Sequence, residues 1–216
     1  MKSILKVLVG SRAHGLNDKN SDYDYRGVFV VPTDDLFKIG NTKKNTSWVE
    51  GKVDDTSWEV SHFLKLAVKC NPSVLEVFLA PEVSVTQDGK ELIALFPYVW
   101  NSVDVMNAFI GYGHNQRKKF LEKKDGRPDK FAVAYIRTLR NAYQLLTTGT
   151  FDVEVKDSML KECLLRYKKG IYRIGEIIDY AERLENKVRE AYLANSKKET
   201  DIDKINQYLI NLRRKY

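Results

Sequence analysis

Long apolar stretches are missing from this chain of 216 residues. No segment approaches the roughly 18 apolar residues of a membrane-spanning helix, so we expect no membrane contact. The opening segment, MKSILKVLVG, carries Lys6 among its apolar residues and continues into Ser11 and Arg12 instead of a small-residue cleavage site. We therefore expect no signal peptide and a cytoplasmic protein.

Cysteine is also scarce. The chain has two, Cys70 and Cys163, which lie far apart in sequence and outside the spacings typical of metal ligands. This pattern argues against a disulfide framework and against a structural zinc site, and we expect both thiols to be reduced.

Two familiar phosphate-binding motifs are absent as well. A P-loop needs Lys followed by Ser or Thr after its second glycine, but Gly15 is followed by Leu16 and Asn17, and no GxGxxG motif occurs. The sequence therefore supports neither an ordinary P-loop NTPase nor a Rossmann dinucleotide site. It contains no internal repeat or low-complexity segment, and its 43% hydrophobic content is that of an ordinary globular protein.

Positive charge is concentrated in the second half of the chain. Residues 1–100 contain 12 Lys and Arg against 13 Asp and Glu, whereas residues 101–216 contain 24 against 16. Because phosphates are contacted mainly by Lys and Arg, this asymmetry is compatible with a polyanion bound by the second half. A solubilising helical surface would give the same pattern.

Short β-branched segments that end in turn signals predict strands within the first hundred residues. They are ILKVLV, YRGVFVV and the two arms of WVEGKVDDTSWEV, whose tip would be Gly51 and Lys52. Helical patterns predict a turn at TDDLFKIG with Thr33 as its cap, a helix at SHFLKLAVKC with Ser61 as its cap, and a helix at NPSVLEVFLA with Pro72 in its first turn.

Beyond about residue 97 nearly every segment has a helical pattern. The long helices are predicted at 102–124, 129–148, 156–168, 171–194 and 201–214, separated by DGRPD, TTGT, KKG and NSKKET. The sequence therefore predicts an α+β protein, with a mixed-sheet domain at 1–97 and an all-helical, basic domain at 98–216.

Two aspartates stand at the start of the second predicted strand. In extended chain, residues two apart point to the same side, so the carboxylates of Asp22 and Asp24 would converge while Tyr23 and Tyr25 point into the core. Like charges this close repel unless a cation lies between them, and carboxylate oxygens favour Mg²⁺ or Mn²⁺. An Asp-x-Asp pair alone is also common in solvated turns.

A Gly-Ser turn precedes this pair at the end of the first strand. Gly10 would let the backbone approach a phosphate, and Ser11 would offer a hydroxyl at the positive end of a short helix. Mg²⁺ held by one or two carboxylates usually completes its coordination with water and substrate phosphates. The combination predicts a site for a metal and a nucleoside triphosphate.

These motifs carry a resemblance to a known superfamily. GSRAHGL, SDYDYRGVFV and the later WEV resemble the Gly-Ser, paired-carboxylate and third-carboxylate pattern of the polymerase-β-like nucleotidyltransferases. More narrowly, the chain is similar to predicted bacterial and phage nucleotidyltransferases associated with RNA repair. The similarity continues through FIGYGHNQRKK and KFAVAYIRTLRNAYQLLTTG, and so extends over most of the chain.

The resemblance implies a palm-like catalytic domain at 1–97 in which Asp22 and Asp24 hold two metal ions and Gly10 and Ser11 hold the nucleotide's phosphates. The reaction would be in-line attack on the α-phosphate with release of pyrophosphate. A third carboxylate would help to activate the acceptor hydroxyl. The candidates, in order of preference, are Glu59, which lies between apolar neighbours, then Asp55, then Asp54.

Further nucleotide contacts are expected around the turn and in the helical domain. Arg12 and Arg26 flank the site. Tyr112, Gln116 and Lys119 share one helix face at i, i+4 and i+7, whereas Lys130, Arg137 and Arg140 could line another. In related enzymes the helical part closes over the base and triphosphate, although an amphipathic helix with a solvated basic side explains the same spacing.

The expected activity is Mg²⁺- or Mn²⁺-dependent transfer of NMP from an NTP, such as ATP, to an acceptor hydroxyl, with an RNA or tRNA end as a candidate acceptor. A protein side chain and a small molecule are alternative acceptors. A different class stays open, namely a non-catalytic nucleic-acid-binding protein on the same fold. The sequence leaves the nucleotide and the oligomeric state undetermined.

Overall fold

The structure is a computed structural model that describes the backbone of residues 1–40, 46–49 and 53–216 and the side chains of 1–40 and 55–216. The expected hairpin tip at Gly51 and Lys52 lies outside the described residues. Five strands are present in the described part: β1 (Lys2–Val9), β2 (Tyr23–Val30), β3 (Thr46–Val49), β4 (Val53–Glu59) and β5 (Glu82–Val85).

Helices alternate with these strands and then replace them. The first half contains α1 (Gly10–Ala13), α2 (Thr33–Phe37), α3 (Val60–Ala67), α4 (Pro72–Leu79) and α5 (Gln87–Ile93). The second half contains α6 (Ser102–Leu121), α7 (Pro128–Thr148), α8 (Ser158–Lys168), α9 (Ile174–Ala194) and α10 (Ile202–Lys215). This arrangement confirms the predicted α+β class, and the five long helices lie within a few residues of their predicted positions.

The strands form one mixed sheet in the order β3-β4-β2-β1-β5. Strands β2 and β4 are parallel, while the other neighbouring pairs are antiparallel. The central strands are rich in apolar residues and are buried over much of their length, as expected for strands covered by other elements. Phe63 of α3 and Phe78 of α4 pack together in this core, with their ring centroids 5.0 Å apart.

Two helix caps differ from the prediction. Thr33 does not cap α2: its hydroxyl donates instead to the carbonyl oxygen of Arg213, at 2.7 Å. Helix α3 starts one residue before Ser61, and its cap is Glu59, whose carboxylate accepts from the Ser61 backbone N–H at 2.8 Å. The sequence analysis also missed β5 and α5.

By internal contacts the chain forms two compact units. The first comprises residues 1–69, 73–100 and 200–216, and the second comprises residues 70–72 and 101–199. The boundary predicted from the sequence lies at residue 97, with everything beyond it in the helical domain. The expectation that the two parts have separate catalytic and binding roles stays a prediction.

Helix α10 is the reason why the compact units do not follow the predicted boundary. Its buried residues Ile205, Tyr208 and Leu212 recur at helical spacing and pack within the first unit. The Tyr208 hydroxyl donates to the backbone carbonyl of Asp88 at 3.0 Å. Nothing in the local sequence of an amphipathic helix specifies which surface covers its apolar face.

Within the second unit, α6, α7 and α9 pack against one another. Helix α7 supplies the centre, with Tyr135, Ile136 and Leu139 fully buried. Both cysteines are free, and burial raises the pKa of the Cys70 thiol to about 12, so that it stays protonated near neutral pH. Among the described residues, no helix has the length and apolar character needed to cross a membrane.

Candidate active site

The candidate site lies where β1 ends at Val9 and Gly10 begins the following turn. Gly10 has φ +70°, a left-handed conformation, and a Cβ built on it would overlap with Oδ2 of Asp24. Strand pairing explains this closeness, because Val9 is opposite Asp24 in the antiparallel β1–β2 ladder. The structure therefore brings Gly10 and Asp24 together, as predicted, but the group that approaches the glycine is the Asp24 carboxylate.

Arg12 organises the loop that carries Asp22. Its guanidinium donates from Nε and Nη2 to the carbonyl oxygen of Ser21, at 3.1 and 2.8 Å, and its Cζ lies 3.9 Å from the centre of the Tyr23 ring. Asp18 adds a turn, since its carboxylate accepts from the Asn20 backbone N–H. Arg12 was predicted to contact the nucleotide; in the structure its guanidinium holds residue 21 beside the site.

The two carboxylates differ in their surroundings. Asp22 is exposed and precedes the first residue of β2, whereas Asp24 is half-buried within the strand. The neighbouring tyrosines do not enter the core, contrary to the prediction. Tyr23 is 48% exposed, and its ring stacks on that of Tyr25 at 6.4 Å. The cause is that this end of the sheet extends beyond the core, so that neither face is fully covered.

The parallel β2–β4 ladder places each candidate third carboxylate. Position 54 is paired with Asp24, Asp55 with Tyr25, and Glu59 with Phe29. At about 3.3 Å per residue, the five-residue separation puts Glu59 on the order of 16 Å from Asp24 along the ladder. The backbone register therefore favours position 54, although the side chain of Asp54 lies outside the described residues.

Glu59, the preferred candidate, has a structural role instead. It is 4% exposed, and its carboxylate accepts from Nη2 of Arg213 at 2.5 Å while capping α3. Arg213 also donates to the carbonyl oxygen of Val31 at 3.0 Å. The Glu59 carboxylate is buried, paired with Arg213 and far along the strand from Asp24, so this geometry does not support the prediction that Glu59 completes the metal site.

Asp55, the second candidate, also has a partner away from Asp24. Its Oδ2 accepts from Nζ of Lys6 at 2.6 Å, and the Lys6 ammonium lies 4.5 Å from the centre of the Tyr25 ring. Asp55 and Tyr25 are paired in register, next to the pair formed by position 54 and Asp24. Because successive side chains of a strand point to opposite faces, Asp55 and Asp24 belong to different faces of the sheet.

Asp22 and Asp24 fit the requirements of a magnesium ion. Among the side chains that the structure describes, no group of three His, Cys, Asp or Glu residues is placed to hold a metal. Mg²⁺ is usually held by one or two carboxylates together with water and substrate phosphates, and its preferred donors are oxygens. Asp22 and Asp24, one exposed and one half-buried and two residues apart in the chain, are a donor set of that kind.

Sequence reasoning missed one contact beside the turn. Nε2 of His14, the C-cap of α1, lies 2.7 Å from Oε1 of Glu76 on α4, and both side chains are largely buried. This pair ties the Gly-Ser turn to the helical layer. The two residues are 62 positions apart, so only the fold could reveal their contact.

The predicted nucleotide contacts of the helical half all lie in the second compact unit. Gln116 and Arg137 are buried, at 4% and 9% exposure, whereas Lys130 is exposed. Tyr112 and Lys119 are half-buried, and Nζ of Lys119 lies 5.6 Å from the Phe131 ring centre. These five residues do not form one exposed face, and their role toward a nucleotide stays a prediction. Arg140 bonds to Gln144 within its own helix, and Arg26 donates to the Tyr25 carbonyl.

A mixed sheet with a Gly-Ser turn against an aspartate of the next strand is consistent with the predicted class of protein, and sequence comparison establishes it. The profile of RlaP, described as an RNA repair pathway DNA polymerase beta family, matches residues 1–211. The chain belongs to this family, which confirms the polymerase-β-like resemblance.

A phage protein is similar to part of the chain. It is the uncharacterised 38.9 kDa protein of the nrdC–mobD intergenic region of Enterobacteria phage T4, to which the chain is 29% identical over 139 residues. The matched segment covers 56% of this chain and 39% of the phage protein. The chain therefore spans well under half the length of that relative.

Proposed function

We propose that the protein is a nucleotidyltransferase that moves NMP from an NTP to the hydroxyl of an RNA end and releases pyrophosphate. The observation that carries this proposal is the contact between the Gly10 turn and the Asp24 carboxylate, in a chain of a polymerase-β family named for RNA repair. The turn and the carboxylate are the two halves of the site that the sequence motif predicts.

Asp22 and Asp24 are the residues that would hold Mg²⁺ or Mn²⁺. When bound, such a cation neutralises the charge of the triphosphate and of the entering and leaving oxygens. The contribution of the protein is largely placement: the Arg12 contact with Ser21 fixes the loop before Asp22, and strand pairing with Val9 fixes Asp24. Such preorganisation lowers the cost of aligning the reacting groups.

Ser11 is the proposed phosphate contact in the turn beside Asp24. It is half-exposed on the single turn α1, immediately after Gly10. Because α1 is only four residues long, its dipole is small and a side-chain hydroxyl is the more useful donor. Arg12 assists indirectly, through the loop, instead of contacting the nucleotide.

Asp54 is the proposed third carboxylate. Its backbone is paired directly with that of Asp24 in the parallel ladder. The proposed role is to accept the proton of the attacking hydroxyl as the bond to the α-phosphorus forms. The buried ion pair of Glu59 and the Lys6 contact of Asp55 support choosing Asp54 over both of them.

The test is to incubate the purified protein with α-labelled NTPs and MgCl₂ in the presence of RNA, protein or small-molecule acceptors. We expect label in RNA, release of pyrophosphate, and loss of both when the cation is chelated. Label only in protein or only in small molecules would reject the RNA acceptor. No transfer to any acceptor with any NTP would reject the proposed reaction.

Asp24→Asn is the matching variant, because it removes the charge and keeps the shape of the side chain. We expect the rate of transfer to fall by about a thousandfold, which corresponds to roughly 4 kcal/mol of transition-state stabilisation. Asp18→Asn is the control, since Asp18 lies in the same loop and supports a turn there. Equal activity of the Asp24→Asn variant and the wild-type protein would contradict the site.

A further inference from the structure

The positive charge of the second half is concentrated in two connections between helices. Residues 117–130, around the α6–α7 connection, contain seven Lys and Arg and three acids, and residues 166–173, around the α8–α9 connection, contain four Lys and Arg and no acid. Together these segments carry a net charge of +8, compared with +7 for the entire chain. The rest of the chain is therefore close to neutral.

The two segments form one surface, which we call the two-loop surface. The Tyr172 hydroxyl donates to Oδ1 of Asp129 at 2.6 Å, and its ring lies 5.7 Å from that of Phe120. Gly170 lies beside the same carboxylate: a Cβ built on Gly170 would be 3.7 Å from Oδ2 of Asp129. Burial, and then the bond to Asp129, raise the pKa of Tyr172 to about 12, so the hydroxyl stays a donor near neutral pH.

Most cations of the two-loop surface point to solvent without acidic partners. Seven of its eleven cations are exposed and make no ion pair within the described part of the chain: Lys123, Lys124, Arg127, Lys130, Arg166, Lys169 and Arg173. The pairs at the margin of the surface are long, at 3.9 Å between Lys118 and Glu122. Such a cluster repels itself and attracts anions.

The exposed side of α9, in the same unit, shows what an ordinary solvated helix looks like. Its exposed charges are mixed in sign: Glu182, Arg183, Lys187, Arg189 and Glu190. Interspersed charges of this kind are enough for solubility. The one-sided charge of the two-loop surface therefore points to a ligand, and not to solubility alone.

We propose that the two-loop surface binds the phosphate backbone of the RNA acceptor, an inference that rests on the proposed function. Seven of its eleven cations are lysines, which act as point charges and favour phosphate oxygens over the edges of bases. Binding is therefore independent of sequence and sensitive to salt. Lys130 is exposed at this surface and is one of the proposed phosphate contacts.

The experiment compares two charge-reversal variants by fluorescence anisotropy with a labelled single-stranded RNA of about twenty nucleotides. The first is Lys124→Glu with Lys169→Glu, on the two-loop surface. The control is Lys187→Glu with Arg189→Glu, which changes the net charge equally on α9, about 20 Å or more along the helix from Ile174. All four substituted side chains are exposed, so both variants are expected to fold.

The surface variant is expected to bind RNA at least tenfold more weakly than wild type, with the salt slope of log Kd reduced by about 1.4 for two lost contacts. The control is expected to stay within about twofold. Equal weakening of both variants would attribute binding to net charge and overturn the proposal. The proposal would also be overturned if the wild-type protein did not bind RNA, or if it bound poly-glutamate through the same residues instead of RNA.

Failure of this inference is distinguishable from failure of the proposed reaction. Asp24→Asn is expected to lose transfer and keep RNA affinity, whereas the surface variant is expected to lose RNA affinity and keep NTP binding. If the surface variant bound RNA like wild type while Asp24→Asn lost transfer, the reaction would stand and the two-loop surface would not be the acceptor site.

Discussion

The carboxylates at the two ends of the β2–β4 ladder differ in burial and in their neighbours. At one end Asp24 lies half-buried against Gly10, with position 54 beside it in register. At the other end Glu59 is buried against Arg213 and caps α3. The buried ion pair at one end contributes to stability, whereas the half-buried carboxylate beside Gly10 belongs to the proposed metal site.

The sharpest test of this comparison is Asp54→Asn. If Asp54 is the third carboxylate, its charge is needed only in the transition state, and we expect transfer to fall by about 10²- to 10³-fold without loss of stability. Single-turnover rates and thermal unfolding measure the two effects. Asp55→Asn, one residue along the same strand, is the control and should retain transfer within a few-fold; the reverse ranking would contradict the register argument.

Glu59→Gln should have the complementary effect. Removing one charge of a buried ion pair leaves the other uncompensated, so we expect the free energy of unfolding to fall by about 3 kcal/mol, and the melting temperature by roughly 10 °C. Denaturant unfolding measures this loss. At a temperature where the variant is folded, transfer should match wild type, and a thousandfold loss there would restore Glu59 as a catalytic residue.

Gly10→Ala tests the contact between the Gly-Ser turn and Asp24 with a single substitution. The added Cβ meets the Asp24 carboxylate, and the alanine must adopt φ +70°. Together the clash and the strained backbone should lower the free energy of unfolding by about 2 kcal/mol or more and displace Asp24. Unfolding and transfer should therefore both be impaired. In an Asp24→Ala background the stability cost should shrink, and an unchanged cost would show that backbone strain alone is responsible.

Lys6→Met should have the smallest effect. The Lys6–Asp55 pair is partly exposed, with a third of the Lys6 side chain accessible to solvent, so we expect about 0.5 kcal/mol or less. Transfer should be unchanged, because this pair lies on the other face of the sheet from Asp24. A large loss of transfer would mean that the two faces are not separate in function.

The sequence was informative where the signal is local. The strand ending at Gly10, the turn after it and the strand that begins near Asp24 follow from short segments. The five long helices of the second half have periodic apolar residues separated by turn segments, and they were placed within a few residues.

What could not be predicted depends on distant contacts. Glu59 has apolar neighbours, which indicate burial but not whether a buried acid binds a metal or an arginine. Its partner, Arg213, is 154 residues away, on a helix whose polar side gives no indication of its neighbour. Tyr23 was assigned to the core by alternation alone, which does not show where the covering layer of a sheet ends.

The pairing of Glu59 with Arg213 also has a consequence for the order of synthesis. Glu59 leaves the ribosome 154 residues before Arg213, which at about 5 to 20 residues per second is a delay of roughly ten to thirty seconds. Throughout that interval the first compact unit lacks α10, while the whole of the second unit is produced. The helical unit is therefore able to fold first, and the first unit, which carries the candidate site, is completed last, when α10 is added.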